Sequence, residues 1–205
     1  MGNVKSVLNG FELLGEKVCI TDDYEQLSKA EAIILPGVGS FSDGMSNLRK
    51  KGLVEVLKKE VINNKKPYLG ICLGLQFLAE KSFEGGEHEG FGWIKGEVTK
   101  ITNSDLKLKV PHMGWNDTNV VKNEGLFKGI EDPVFYYLHS YYFKLNEIER
   151  KTITSVCEYG GTPITASIQN NNIYAVQFHP EKSQTTGIKL LKNFLDDIRE
   201  KNAQT

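Results

Sequence analysis

Apolar positions in the first eighty residues switch between two spacings. Val4, Val7, Leu8, Phe11 and Leu14 recur at three and four residues, the spacing of one helix face. KVCIT, residues 17–21, then reads as a strand, and AEAIILPG, residues 30–37, reads as a fully buried strand ending at Pro36. Residues 43–63 return to helical spacing with an interruption near Gly52. PYLGI, residues 67–71, is a further buried strand, and a helix follows from about Leu73 to Lys81. Strand and helix in alternation predict parallel strands with helices on both faces.

From about Gly90 the texture becomes β-rich. GFGWIKGEVTKI, LKLKV, PVFYYLHSYYF, TITSVCEY, TPITASIQ and IYAVQFH are separated by Gly, Asn and Pro turns. The chain closes with a helix in which Ile188, Leu191, Phe194, Leu195 and Ile198 share a face. The expected fold class is α/β, a flavodoxin-like, mostly parallel sheet with helices on both faces and an antiparallel β extension. No linker-like composition separates the halves, so residues 1–205 are expected to form one domain.

Composition narrows the function classes. A chain of 205 residues that is 40% apolar and 25% charged, with net charge −1, can bury a proper core. Without a basic run it carries no electrostatic footprint for nucleic acid or an anionic membrane. Neither a membrane span nor the apolar core of a signal peptide is evident in the sequence, so a cytoplasmic protein is expected. Cys19, Cys72 and Cys157 are odd in number and far apart, against a disulfide framework or a CxxC site. Cys19 and Cys157 sit in β-like runs and read as small buried hydrophobes.

Cys72 differs, because G-x-C-x-G falls where a buried strand turns into a helix. That is the pattern of a nucleophile elbow, in which flanking glycines relieve crowding and the following helix N-terminus suits a thiolate. The alternative at this point is a buried cysteine at a tight turn. Of the four histidines, His88 lies in a polar loop, and His112 and His139 read as satisfied, partly buried groups. His179 closes the strand IYAVQFH at the same sheet edge as Cys72, with Glu181 two residues on to orient the imidazole. Gly37 and Gly39 of PGVGSF let the backbone turn N–H groups toward an oxyanion. GVGSFSDG matches neither a dinucleotide fingerprint nor a phosphate loop, and no metal or cofactor is called for.

PGVGSF, GICLGLQFL, PHMGWN, YYLHSYYF and QFHPEKS, in this order, resemble the class I, triad-type glutamine amidotransferases over essentially the whole chain. Within that class the chain looks most like the HisH family, glutaminase subunits of imidazole glycerol phosphate synthase. The resemblance implies Cys72 as nucleophile, His179 as general base and acid, and Glu181 as its orienter. It implies an oxyanion site at Gly37, Val38, Gly39 and Leu73, and glutamine contacts at Gln76, Ser140 and Tyr141. Met113, Trp115 and Lys182 match positions facing the partner and the ammonia passage. The implied partner is a synthase or cyclase subunit of the HisF type in a heterodimer. Alternatives are a synthase that modifies surface sugars, a free cysteine hydrolase of the same fold such as a γ-glutamyl hydrolase, or an interaction module without catalysis. HisH-like chains begin with a strand and turn of the type IIDYGMGN, whereas this sequence begins MGN, so the family's first strand is expected to be missing and its neighbours to be left with open edges.

Overall fold

The structure, a computed structural model, describes residues 4–102 and 109–203. In chain order its elements are α1 (Val4–Leu13), α2 (Tyr24–Lys29), β1 (Ile33–Gly37), α3 (Phe41–Lys50) and α4 (Leu53–Leu57), which runs on as a π-helical turn at Lys58–Asn63. Then come β2 (Tyr68–Cys72), α5 (Leu73–Gln76), β3 (Lys81–Ser82), β4 (His88–Glu89), β5 (Gly96–Lys100), β6 (His112–Asp117) and β7 (Asn119–Val120). The chain ends through β8 (Val134–His139), β9 (Tyr141–Leu145), β10 (Ile153–Tyr159), β11 (Thr162–Asn170), β12 (Ile173–Val176) and α6 (Gln184–Asn202).

The main sheet has the order β1-β2-β12-β11-β10-β7. β1 and β12 flank β2 in parallel, and β11, β10 and β7 extend the sheet antiparallel. Strands buried on both faces must be apolar at every position, and β2 and β12 are. Their residues alternate between two cores. Leu69, Ile71, Tyr174 and Val176 pack with Val7, Phe11, Leu191 and Phe194 under α1 and α6. Tyr68, Ile173 and Ala175 pack with Phe41, Met45, Leu57 and Val61 under α3 and α4. Ser40 caps α3 by accepting the Asp43 N–H at 3.2 Å, and the expected interruption falls at Gly52, whose φ is +68°. A second sheet, β4-β3-β5-β9, and a ribbon of β6 with β8 lie over the carboxyl ends of the parallel strands.

Four expectations change. The strand expected to be fully buried at residues 30–37 is β1, an edge strand in which only Ile33 is buried, because β2 covers one side of it alone. Residues 17–21 form no strand pairing among the described residues, because β-propensity needs a neighbouring strand and none lies beside them. Val18 still packs on the core, but Cys19 is exposed rather than a buried hydrophobe, and Ile20 is 65% exposed. The helix expected over 73–81 lasts only from Leu73 to Gln76, since the chain then turns into β3. The strand IYAVQFH ends at Val176, and Gln177–His179 continue as a buried, non-strand segment. LKLKV, residues 106–110, lies mostly outside the described residues. Cys157 is buried, as the sequence suggests.

The glycines around Cys72 answer to close approach. A β-carbon on residue 74 would stand 1.9 Å from the Leu35 carbonyl oxygen, and one on residue 70 would stand 2.6 Å from the Gly74 carbonyl oxygen. Tyr68 Oη, in turn, donates to that Gly74 oxygen at 2.8 Å. Backbone cannot yield as a flexible side chain can, so Gly74→Ala is expected to lower stability by about 3 kcal/mol or more. Chemical denaturation of the two proteins checks this, and a loss below about 1 kcal/mol contradicts the packing argument.

Candidate active site

The elbow forms because β2 and α5 share Cys72 as last strand residue and helix cap. Cys72 has φ +55° and ψ −105°, a conformation that L-residues hold only when their surroundings enforce it. Here the enforcement is the contact of α5 with β1 described above. Gly37 stands opposite Cys72 in the parallel register, so the PGVG loop leaves the sheet directly beside the thiol.

Facing the thiol is His179, placed by main-chain bonds rather than by a strand. Its N–H donates to the Tyr136 carbonyl at 2.8 Å, and its own carbonyl accepts from Ser183 Oγ at 2.7 Å. Ser183 Oγ also accepts the Tyr136 N–H at 3.0 Å, so the turn after His179 is fastened to β8 at two points. The imidazole Nδ1 lies 2.8 Å from Glu181 Oε1, with both side chains almost wholly buried. Burial alone would lower the His179 pKa. Hydrogen bonds and opposite charge from Cys72 and then Glu181 outweigh it and push the value up to about 9. At neutral pH the His179 imidazole is therefore held in its charged form beside the Cys72 sulfur and the Glu181 carboxyl group.

A cleft of about 180 Å³ opens beside these groups, lined by Val38, Gly39, Cys72, Leu73, Gln76, Glu84, Leu138, His139, Ser140 and Tyr141. The structure thus gathers every residue expected to touch an oxyanion or glutamine, with Gly37 beside Cys72. Met113 and Trp115 stand apart, 65% and 47% exposed on the outer face of β6. Trp115 meets the Tyr136 ring edge-on, and Lys182 places its ammonium 5.5 Å over that same ring. A larger cleft, about 480 Å³, lies at the amino ends of the parallel strands among Lys65, Pro67, Asn172 and Lys201, and includes none of the expected site residues. Among the described residues no cluster of three or more His, Cys, Asp or Glu could hold a metal, and no helix is long and apolar enough to cross a membrane.

The sequence model of the family described as glutamine amidotransferase class-I matches residues 3–198. The chain belongs to that family. The HisH 1 subunit of imidazole glycerol phosphate synthase from Campylobacter jejuni strain RM1221 is 46% identical over 195 residues, covering 95% of this chain and 94% of the relative. The HisH subunit from Pelagibacter ubique is 42% identical over 200 residues, 95% of each chain. In solved structures the fold recurs in a glutamine amidotransferase at TM-score 0.70 and 20% identity, covering 97% of this chain and 95% of that one. It recurs also in a glutamine amidotransferase from Thermotoga maritima at TM-score 0.57 and 19% identity, with 92% of this chain and 70% of that one covered.

Two residues of the site escaped the sequence reading, one lining the cleft and one buried behind it. Glu84 follows β3 in a polar loop and carries no local signal. Among the described residues it is the one carboxylate lining the cleft, and its Oε2 accepts the Phe41 N–H at 2.7 Å. Gln177 is wholly buried, accepts from Gln76 Nε2 at 3.0 Å and donates from Nε2 to Cys72 Sγ at 3.6 Å. Its place two residues before His179, a polar side chain at the end of the apolar run IYAV, is the signal that could have found it.

The charge on His179 gives a pH prediction. Its raised pKa contributes stability that is complete below about 6.5 and is lost as pH rises through about 9. Carbon-13 NMR of the His179 ring should therefore show titration near pH 9 in the native chain, a lower midpoint in Glu181→Gln, and a lower one again when Cys72→Ala is added. An unchanged midpoint in the double variant contradicts the assignment.

Proposed function

We propose that this protein hydrolyses glutamine to glutamate and ammonia and passes the ammonia to a synthase subunit docked on β6 and β8. The observation that carries it is the buried Cys72–His179–Glu181 arrangement beside a cleft holding one carboxylate and several backbone turns. Cys72 Sγ attacks the γ-carboxamide carbon, and N–H groups of the 37–39 loop and of Leu73 hold the developing oxyanion. His179 gives its proton to the departing amine, which leaves as NH₃ and yields a γ-glutamyl thioester. His179 then takes a proton from water, whose oxygen attacks the thioester, and Cys72 is released with glutamate. Glu181 keeps the imidazole aligned and stabilises its charge throughout.

The substrate's α-ammonium needs an anion, and Glu84 supplies it, while Gln76, Ser140 and Tyr141 fix the rest of the amino-acid end. Ammonia released into neutral water becomes ammonium, which is not nucleophilic. A partner that takes NH₃ directly is therefore part of the function, and Met113, Trp115, Tyr136 and Lys182 form an exposed aromatic and cationic group suited to it. The relatives named HisH subunits of imidazole glycerol phosphate synthase support a HisF-type cyclase as that partner and histidine synthesis as the setting. Residues 1–205 act as one amidotransferase domain in the cytoplasm.

Cys72→Ser is expected to lower glutamine-dependent turnover of the complex at least about a thousandfold while ammonium-driven turnover at high pH persists. Retained glutaminase activity overturns the reading. Glu84→Gln, which keeps an acceptor for Phe41 N–H, should raise KM for glutamine about tenfold with kcat nearly unchanged. Steady-state kinetics checks both, and a changed kcat with unchanged KM removes Glu84 from substrate binding.

A further inference from the structure

The inner face of β6 is joined to the cleft by a buried hydrogen-bonded chain that the triad does not use. His112 stands directly opposite His139 in the β6–β8 register, with His112 Nδ1 3.1 Å from His139 Nε2. His139 Nδ1 is 2.9 Å from the Tyr141 carbonyl oxygen, and Asn116 Nδ2 is 3.2 Å from His112 Nε2. The ring of His112 is held between Tyr159 at 3.9 Å and Tyr137 at 4.7 Å, both nearly parallel to it. Both histidines are almost fully buried.

Chemistry fixes every proton in this chain. The Tyr141 carbonyl only accepts, so His139 Nδ1 carries hydrogen and its neutral Nε2 accepts. His112 Nδ1 must then donate, which leaves His112 Nε2 to accept from the Asn116 amide. Asn116 Oδ1 accepts the Asp117 N–H at 2.9 Å, which orients that amide with its nitrogen inward. One more proton on either ring would set two N–H groups against each other. Burial accordingly keeps both rings neutral, His112 down to about 4 and His139 down to about 3, the latter also opposed by charge on His112 and His179. The chain continues past Tyr141. Gln76 Nε2 donates to the same carbonyl at 2.9 Å and to Gln177 Oε1 at 3.0 Å, and Gln177 Nε2 reaches Cys72 Sγ.

The geometry points to Asn116, His112 and His139 as positioning residues that tie the strand bearing Met113 and Trp115 to the glutamine-binding segment and the nucleophile. Side chains alternate along β6: Met113 and Trp115 face outward while His112 and Asn116 face in. A partner that presses on the outer face moves the inner face with it, and the relay carries that displacement to Tyr141, Gln76 and Cys72. This inference rests on the proposed amidotransferase function and adds a route by which docking sets the glutamine site.

The test compares His112→Leu, which removes both nitrogens, with His112→Asn, whose amide can donate where Nδ1 did. In the complex with the synthase, His112→Leu should raise KM for glutamine and lower the partner's stimulation of glutaminase, each about tenfold, because a buried acceptor on His139 loses its donor. His112→Asn should return both to within about threefold, and ammonium-driven turnover should be native in each variant. Unchanged KM and stimulation in His112→Leu, or equal impairment of both variants at equal melting temperature, overturns the proposal. Nitrogen-15 NMR separates this from failure of the functional reading. If the native complex shows no glutaminase, that reading falls, and the relay is then judged by spectra of the native chain. Hydrogen on Nδ1 of both rings, with Gln76 and Gln177 amide signals displaced in His112→Leu, upholds it. The opposite tautomers or unmoved signals overturn it.

Discussion

The Leu35 carbonyl and the backbone of Gly74 lie so close that no β-carbon fits between them, and the site is organised by that approach. It lets α5 begin at the residue where β2 ends, which forces Cys72 to φ +55° and turns its thiol out of the sheet. The same tight turn brings the first N–H of α5 and the loop after β1 to one spot, since Gly37 and Cys72 are register partners. Conformational strain of roughly 1–3 kcal/mol at the cysteine is held by packing on both faces of β2, where every residue is buried. A looser fit would relax the cysteine toward ordinary dihedrals and dissolve the geometry.

Once the thiol is fixed, the remaining problem is charge in a dry place. His179 and Glu181 are as buried as the hydrophobic core, and an isolated ion there would be expelled by desolvation. The triad offsets this by placing opposite charges in hydrogen-bond range, which is why His179 holds its proton to higher pH despite burial. The neighbouring His112–His139 pair solves the same problem the other way, by neutrality and fixed tautomers. Buried histidines in neighbouring elements thus have opposite protonation, set by whether Glu181 and the Cys72 sulfur or a carbonyl and an amide face the ring.

These two arrangements meet on β8. Its Tyr136 fastens the His179 turn, its Leu138 carbonyl faces the Cys72 sulfur at 3.9 Å, and its His139 is within hydrogen-bond distance of His112 on β6. Among the described residues β8 pairs only with β6, yet its Phe135 and Tyr137 are buried in the core with Leu191 and Phe194, so packing rather than main-sheet pairing holds the strand that touches the thiol and the His179 turn.

Local pattern made much of this legible. Runs such as YLGIC and IYAV declare buried strands because both faces are covered, whereas IILPG, with the same composition, lies at the edge of the sheet and is only partly buried, and the face of α6 shows in its spacing. G-x-C-x-G announces a strained turn because only glycine permits the contacts found at 70 and 74. What the sequence could not convey depends on neighbours distant along the chain. KVCIT has strand composition but no adjacent strand, so it stays irregular and Cys19 is exposed. Glu84 enters the cleft only because β3 packs beside β5, and Gln177 reaches Cys72 only because β12 lies next to β2. His112 and His139 read alone as two satisfied histidines, and only the antiparallel register sets them opposite each other. Turn chemistry and periodicity act within a few residues and are written in the chain. Burial, proton placement and the meeting of side chains depend on which elements become neighbours, and that is decided by the packed fold.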